Sequence, residues 1–301
     1  MKILSHCIFI VSCLIGSATG AAYEITDSFG KHRFDSPPQR VVVTDWAVLE
    51  QVLELGIKPI GAPELAAYQH YVQQPALPNS ITDIGLRVSP NLKTLQDLKP
   101  DLIILGTNQK QLARPFSKIA EVMYYKNFSE RYRGNGEKSR ERFKQIAELF
   151  QKEKVAEQKL ATMDTRIAQL RLQLQQHFGN QLPKVTSIRF SSAEKCLVYG
   201  DNSLPLFALY LLGIESDFSI KKSQWGEKEI PINELDQIDE GYLVYFKPVN
   251  QSDQVFQSKD WLALPVVQQN NVLAASPVWS YGGAMSVLYI AEAISQALLK
   301  K

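Results

Sequence analysis

Cysteine is scarce, with three in 301 residues, and two of them, Cys7 and Cys13, fall in the first twenty. If those residues are removed on export, Cys196 stands alone and no internal disulfide can form, even in an oxidising compartment. Histidine is equally thin: His32, His70 and His177 are the only ones past residue 20, and no two have metal-ligand spacing. The chain has no P-loop, no Gly-x-Gly-x-x-Gly, no Gly-x-Ser-x-Gly and no Cys-x-x-Cys. Phosphate-cradling, nucleophile-elbow and dithiol chemistry therefore have no sequence support. Charge of one sign is missing too. Lys plus Arg number 33 against 31 Asp plus Glu, so no basic field argues for nucleic acid.

Residues 1–20 read as an export signal. Lys2 is the positive start, residues 3–15 are mostly apolar, and small residues at 17–22 suit cleavage. The apolar run is too short to span a bilayer. A competing reading takes residues 10–13 as a lipoprotein signal with Cys13 lipidated. Either way the expected destination is the periplasm.

What is present is organised around residues 153–178. Ala156, Leu160, Met163, Ile167, Leu170, Leu174 and Phe178 recur at spacings of four and three, one stripe of a helix. Neither Gly nor Pro interrupts it, and at ~1.5 Å per residue it reaches about 39 Å. The segments on its two sides resemble each other. Residues 49–57 and 206–214 both end in Leu-Gly-Ile, and Gly56 and Gly213 are the residue expected just past a helix end. Each is followed by a short helix and an apolar strand, at 91–105 and 232–245. The expectation is an α/β fold with two parallel-sheet lobes, residues 21–152 and 179–301, bridged by a single long α-helix. A cleft between such lobes is a natural ligand site. Residues 64–82, with Tyr68, Tyr71 and three Gln, have no counterpart in the second half and read as a functional loop.

Several large side chains stand outside the apolar stripes. Trp46 follows the first strand, Trp225 lies in a polar loop, and Trp279 with Tyr281 precedes the last helix. Arg87 sits between the turn residues Gly85 and Pro90. Singly, a core Trp or a solvated Arg is the plain reading; Trp225, Trp279 and Tyr281 together, all in loops, suggest a cleft wall.

At these residues the chain resembles the periplasmic ferric-siderophore-binding proteins of ABC importers, in the ferric-hydroxamate branch. The likeness rests on Asp83-Ile-Gly-Leu-Arg87, on residues 198–204 and 277–286, and on the opening strand through Trp46. The resemblance implies two lobes with limited movement and a site of known composition. Arg87 matches the arginine that reaches the iron-bound hydroxamate oxygens. Tyr71 stands where the family often has Trp, and Leu197, Trp225, Trp279 and Tyr281 match the second-lobe wall. Two positions depart from the pattern. Asn108 lies in a loop, 106–109, where a Tyr is usual, and Glu227 replaces a small polar residue beside Trp225. If Glu227 projects into the cleft beside Trp225 it would favour a siderophore with a pendant ammonium; a solvated carboxylate in the charged loop 227–229 is the plain reading. For permease docking, Glu234 matches the acidic residue of the second lobe. The first-lobe equivalent is Lys93, with Asp97 one turn on as its substitute.

The chemistry is consistent with that likeness. A trishydroxamate already saturates ferric iron with oxygens, so no protein metal ligand and no cofactor are expected. The implied partners are a ferric hydroxamate, an inner-membrane ABC permease and its ATPase, with the binding protein itself a monomer. Other cargo (haem, cobalamin or a catecholate siderophore) stays open from the residues alone. A siderophore hydrolase is the alternative of another class, and it lacks a nucleophile motif.

Overall fold

The structure, a computed structural model, describes residues 22–301 apart from 133, 219 and 239. The export signal expected over 1–20, with Cys13, lies outside the described residues. Among them no helix is long and apolar enough to cross a membrane.

An antiparallel hairpin, Tyr23–Thr26 with Lys31–Phe34, opens the chain. The first lobe then builds a five-stranded sheet from β1 (Val41–Val43), β2 (Gly61–Ala62), β3 (Thr82–Asp83), β4 (Leu102–Leu105) and β5 (Glu121–Tyr124). Its order is β3-β2-β1-β4-β5, with every pairing parallel. Helix α1 (Trp46–Glu54) crosses from β1 to β2, α2 (Leu65–Tyr71) precedes β3, α3 (Leu92–Leu98) precedes β4, and α4 (Asn135–Leu149) follows β5. Asp45 starts α1 from an extended backbone, its carboxylate accepting the Val48 N–H at 3.1 Å. Past the end of α1, Gly56 takes a φ of +78°, a conformation that removes any other residue's advantage there.

The connector α5 runs Glu153–Phe178 and buries Ala156, Leu160, Met163, Ile167, Leu170 and Leu174 of the predicted stripe, with Phe178 at its end half-buried. The second lobe carries β6 (Val185–Phe190), β7 (Lys195–Tyr199), α6 (Leu204–Leu212), β8 (Glu227–Pro231), β9 (Tyr242–Phe246), β10 (Val272–Ala275) and the closing α7 (Ala284–Leu298). Its strand order, β8-β7-β6-β9-β10, repeats that of the first lobe. The expectation of a parallel sheet needs one refinement here. β7 runs antiparallel to both β6 and β8, while β6, β9 and β10 are parallel. Only a turn closed by Ser191 and Ser192 N–H groups on the Lys195 carbonyl separates β6 from β7. A connection that short admits no crossover helix, so the strand must return.

The sheets alternate in the expected period of two. Leu102 and Ile104 of β4 face one cluster, while Ile103 and Leu105 face an outer one. The inner cluster is common to both lobes. Val43, Trp46 and Val48 pack in it with the buried residues of α5 and with Tyr199, Phe246 and Ile290 of the second lobe. Helix α1 is the centre of this shared core, with eight of its nine residues buried. The lobes are therefore joined by packing as well as by the connector. Ion pairs from α5 tie it to both sides, Lys159 to Glu54 at 2.6 Å and Arg166 to Glu292 at 2.9 Å.

Candidate functional site

Arg87 lies at the turn of a small hairpin, Gly85–Leu86 with Ser89–Pro90, between the sheet and α3. Its guanidinium carbon sits 3.7 Å from the Trp46 ring centroid and 5.6 Å from that of Trp279. Its Nε donates to the Glu64 carboxylate. A solvated loop arginine is thus not what the fold makes of it. The side chain is 34 % exposed, stacked and ion-paired.

From Trp46 a line of rings in edge and tilted contact crosses the cleft. Trp46 meets Trp279 at 5.0 Å, Trp279 meets Tyr281 at 5.1 Å, and Tyr281 meets Trp225 at 5.7 Å. Trp225 then meets Phe128 of the first lobe at 5.2 Å. These separations are those at which aromatic pairs attract, and together they form a continuous floor. Trp46, expected among the ligand-binding residues, takes the core position that is the plain reading of a single Trp. It is buried, its Nε1 donates to the Pro63 carbonyl at 3.0 Å, and Arg87 covers one face. Trp225, Trp279 and Tyr281 are half-buried and keep surface for a ligand.

The other expected residues take more varied places. Leu197 is half-buried in β7, between Cys196 and Val198 of the outer core, so it shares the face of Tyr199. Tyr71 makes no ring contact with the aromatic floor; its hydroxyl accepts from Asn250 of the second lobe at 3.4 Å. Asn108 is an exposed rim residue with a φ of +66°, and it accepts from Gln224 across the cleft at 2.7 Å. Asn108 and Tyr71 therefore bridge the lobes here.

Glu227 opens β8 half-buried, and its carboxylate accepts the Tyr281 hydroxyl. Glu227 is therefore not the solvated loop carboxylate of the plain reading. Burial raises its pKa, against the pull of Tyr281 and of the Arg189 charge. Its backbone is tied to the Ser223 hydroxyl, which closes the turn carrying Trp225. Asp45 lies near Arg87, and burial pushes it up to about 6 against the Val48 hydrogen bond and the Arg87 charge.

Sequence reasoning missed Glu64, Gln109, Gln224 and Glu50. Glu50 is fully buried in α1 and accepts N–H bonds from Gly283 at 3.1 Å and Ser286 at 2.8 Å, at the start of α7. Glu50 stands next to Gln51 and one turn before Glu54 in a helix of otherwise apolar residues, so nothing local marked it out from those two. Among the described residues, no group of three or more His, Cys, Asp or Glu side chains is placed to hold a metal ion.

Comparison with known proteins places this geometry among relatives. The profile of the family described as periplasmic binding protein matches residues 41–277. The Escherichia coli K12 protein named iron(3+)-hydroxamate-binding protein FhuD is 26 % identical over 263 residues, 87 % of each chain. The crystal structure of the siderophore-binding protein FhuD from Vibrio cholerae with bound Fe3+–Desferal is 44 % identical. It covers 87 % of this chain and 98 % of that one, with a TM-score of 0.84. The catecholate-siderophore binding protein VctP of the same organism shares the fold at 19 % identity and a TM-score of 0.67, over 93 % of this chain and all of its own.

Proposed function

The chain belongs to the periplasmic binding protein family, and from that premise we propose that it captures a ferric hydroxamate siderophore between its lobes and delivers it to an inner-membrane ABC permease. The observation that carries this reading is Arg87 held over an aromatic floor. Its charge suits the partly anionic oxygens of an iron-bound hydroxamate. The rings of Trp225, Trp279 and Tyr281 cover hydrocarbon arms without demanding one backbone. Transport of the intact complex, with the permease's ATPase as the energy source, fits a site built from a cation and rings. Export to the periplasm and action as a monomer complete the proposal.

Tryptophan quenching tests it against a panel of ferric hydroxamates, a ferric catecholate, haem and cobalamin. Saturable quenching is expected at the lowest concentrations with the hydroxamates, and the ligand should be recovered chemically unchanged. Tighter binding of haem, cobalamin or the catecholate would replace the cargo, and cleavage of the ligand would replace the function.

For docking, the resemblance points to one exposed acid on each lobe, Glu234 and Asp97. Glu234 is exposed in the short 3-10 helix Ile232–Gln237 and forms no ion pair among the described residues. Asp97 is paired with Lys93 at 2.9 Å, so the first-lobe tip presents a neutralised pair. Reversing the charge in Glu234→Lys should therefore impair uptake severalfold with ligand affinity unchanged, and Asp97→Asn should matter less. Normal uptake by Glu234→Lys in a strain lacking the wild-type protein would remove Glu234 from the docking surface.

A further inference from the structure

We infer that Glu64 is a positioning residue for ligand capture: it holds Arg87 in its binding geometry without touching the ligand itself. The inference rests on the reading of Arg87 given above. Glu64 engages Arg87 through Nε. Among the described residues neither terminal nitrogen of the guanidinium has a hydrogen-bond partner, although the side chain is only about one-third exposed. A carboxylate competing with the ligand would take the terminal fork, the geometry that suits two oxygens best. Binding at Nε leaves part of that fork free and fixes the plane that carries it.

The rest of the local structure holds Glu64 and Arg87 to this arrangement. Glu64 has φ and ψ of 50° at the start of α2, and its N–H bonds the Gly85 carbonyl at 3.0 Å. The Asp83 carboxylate accepts from Leu65 N–H at 3.0 Å and from Gly85 N–H at 2.7 Å, which joins the start of α2 to the Arg87 hairpin. From the other side, buried Gln109 donates at 2.8 Å to the Arg87 carbonyl and at 2.8 Å to that of Thr44. Its own oxygen accepts from the Thr44 hydroxyl at 2.7 Å and from Gly106 N–H at 2.8 Å. Arg87 is thus fixed at its backbone by Gln109, on one face by Trp46, and at Nε by Glu64. Only the last of these sets the rotation of the guanidinium fork. Without Glu64 the guanidinium could turn within its plane over Trp46, the ligand would have to set that rotation, and that ordering opposes binding.

The test is a double-mutant cycle on the full-length protein, reading the affinity for Fe3+–Desferal by calorimetry together with the melting temperature of each unliganded variant. Glu64→Ala should weaken binding about tenfold, within the coupling range of contacting charged groups. Glu64→Gln keeps an oxygen that can accept from Nε and should restore most of that loss. In an Arg87→Ala background, Glu64→Ala should cost nothing further, whereas general damage to the lobe would weaken both backgrounds alike. Unweakened or tighter binding by Glu64→Ala, or an equal loss in the two backgrounds, overturns the role of Glu64 alone. Failure of the unsubstituted protein to bind Fe3+–Desferal overturns the hydroxamate reading, and the positioning role falls with it.

Discussion

Arg87→Ala should weaken ferric-hydroxamate binding by about 1.5–3 kcal/mol, roughly ten- to a hundredfold, with Arg87→Lys in between. Truncation removes the charge proposed to face the partly anionic oxygens and uncovers the Trp46 face on which the guanidinium rests. Lysine restores the charge but neither the planar fork nor the stacking. The position of Arg87 on a polar turn suggests that the unliganded protein would hardly notice its loss. The structure argues otherwise, because the side chain is stacked on a buried ring and paired with Glu64. A fall of about 1 kcal/mol in apo stability is expected, and partial exposure keeps it small. Titration and thermal melting of the same sample separate the two effects. Unchanged affinity would remove the first-lobe half of the site.

Stability should also fall as pH rises from about 5 to 8, and Glu50 should be the main cause. Burial pushes this carboxyl from its ordinary 4.5 up to about 8, more than its hydrogen bonds from Ser286 and Gly283 pull it down. The groups facing it are Glu54 on its own helix, Tyr68 of α2 and Tyr289 of α7, with Lys159 of α5 neutralising Glu54. The folded pKa is raised, so between about 4.5 and about 8 the folded chain keeps a proton that the unfolded chain releases. The stabilisation is complete below that window and lost through it, at about 1.4 kcal/mol per pH unit inside it. Asp45, raised to about 6, acts in the same direction over the lower part. Denaturant melts of wild type and Glu50→Gln at pH 5 and pH 8 check this. The variant should show a much flatter dependence, and an undiminished slope would assign it to other groups.

How much of this was legible beforehand depended on the distance over which a signal acts. The connector was readable because four-and-three spacing runs unbroken through 26 residues. The two Leu-Gly-Ile ends were readable because a positive φ at Gly56 and Gly213 is a local need. Arg87 stood out through its flanking turn residues, and its role came from resemblance. Its partner Glu64 did not stand out. It lies 23 residues away and meets Arg87 only because Asp83 joins two backbone segments. The burial of Glu50 depends on α7, more than 230 residues downstream, and no periodicity within α1 carries that information. The reversed strand β7 had a readable signal in the short gap before Lys195, but strand direction was inferred from the alternation of elements alone. Tyr71 is placed in the wall by resemblance and Asn108 is marked as a departure from it, and only the folded chain shows their partners, Asn250 and Gln224, in the other lobe.

The glycines beside the aromatic floor limit how heritable variation could retune this receptor. A Cβ on Gly282 would meet the Glu50 carboxylate at 2.3 Å and the Ser286 hydroxyl at 1.8 Å. One on Gly283 would meet the Gln51 side chain at 2.3 Å. On the other loop, Gly226 has a φ of +74° and its Cβ would lie 2.4 Å from the Ser203 backbone nitrogen. Both ring-bearing loops are thus pressed against their supports with no room for another side chain. Mutation can exchange the rings at 225, 279 and 281 far more readily than it can shift the loops beneath them. Under the proposed function, new cargo would be reached by recolouring a fixed surface, one side chain at a time, and not by remoulding its contour.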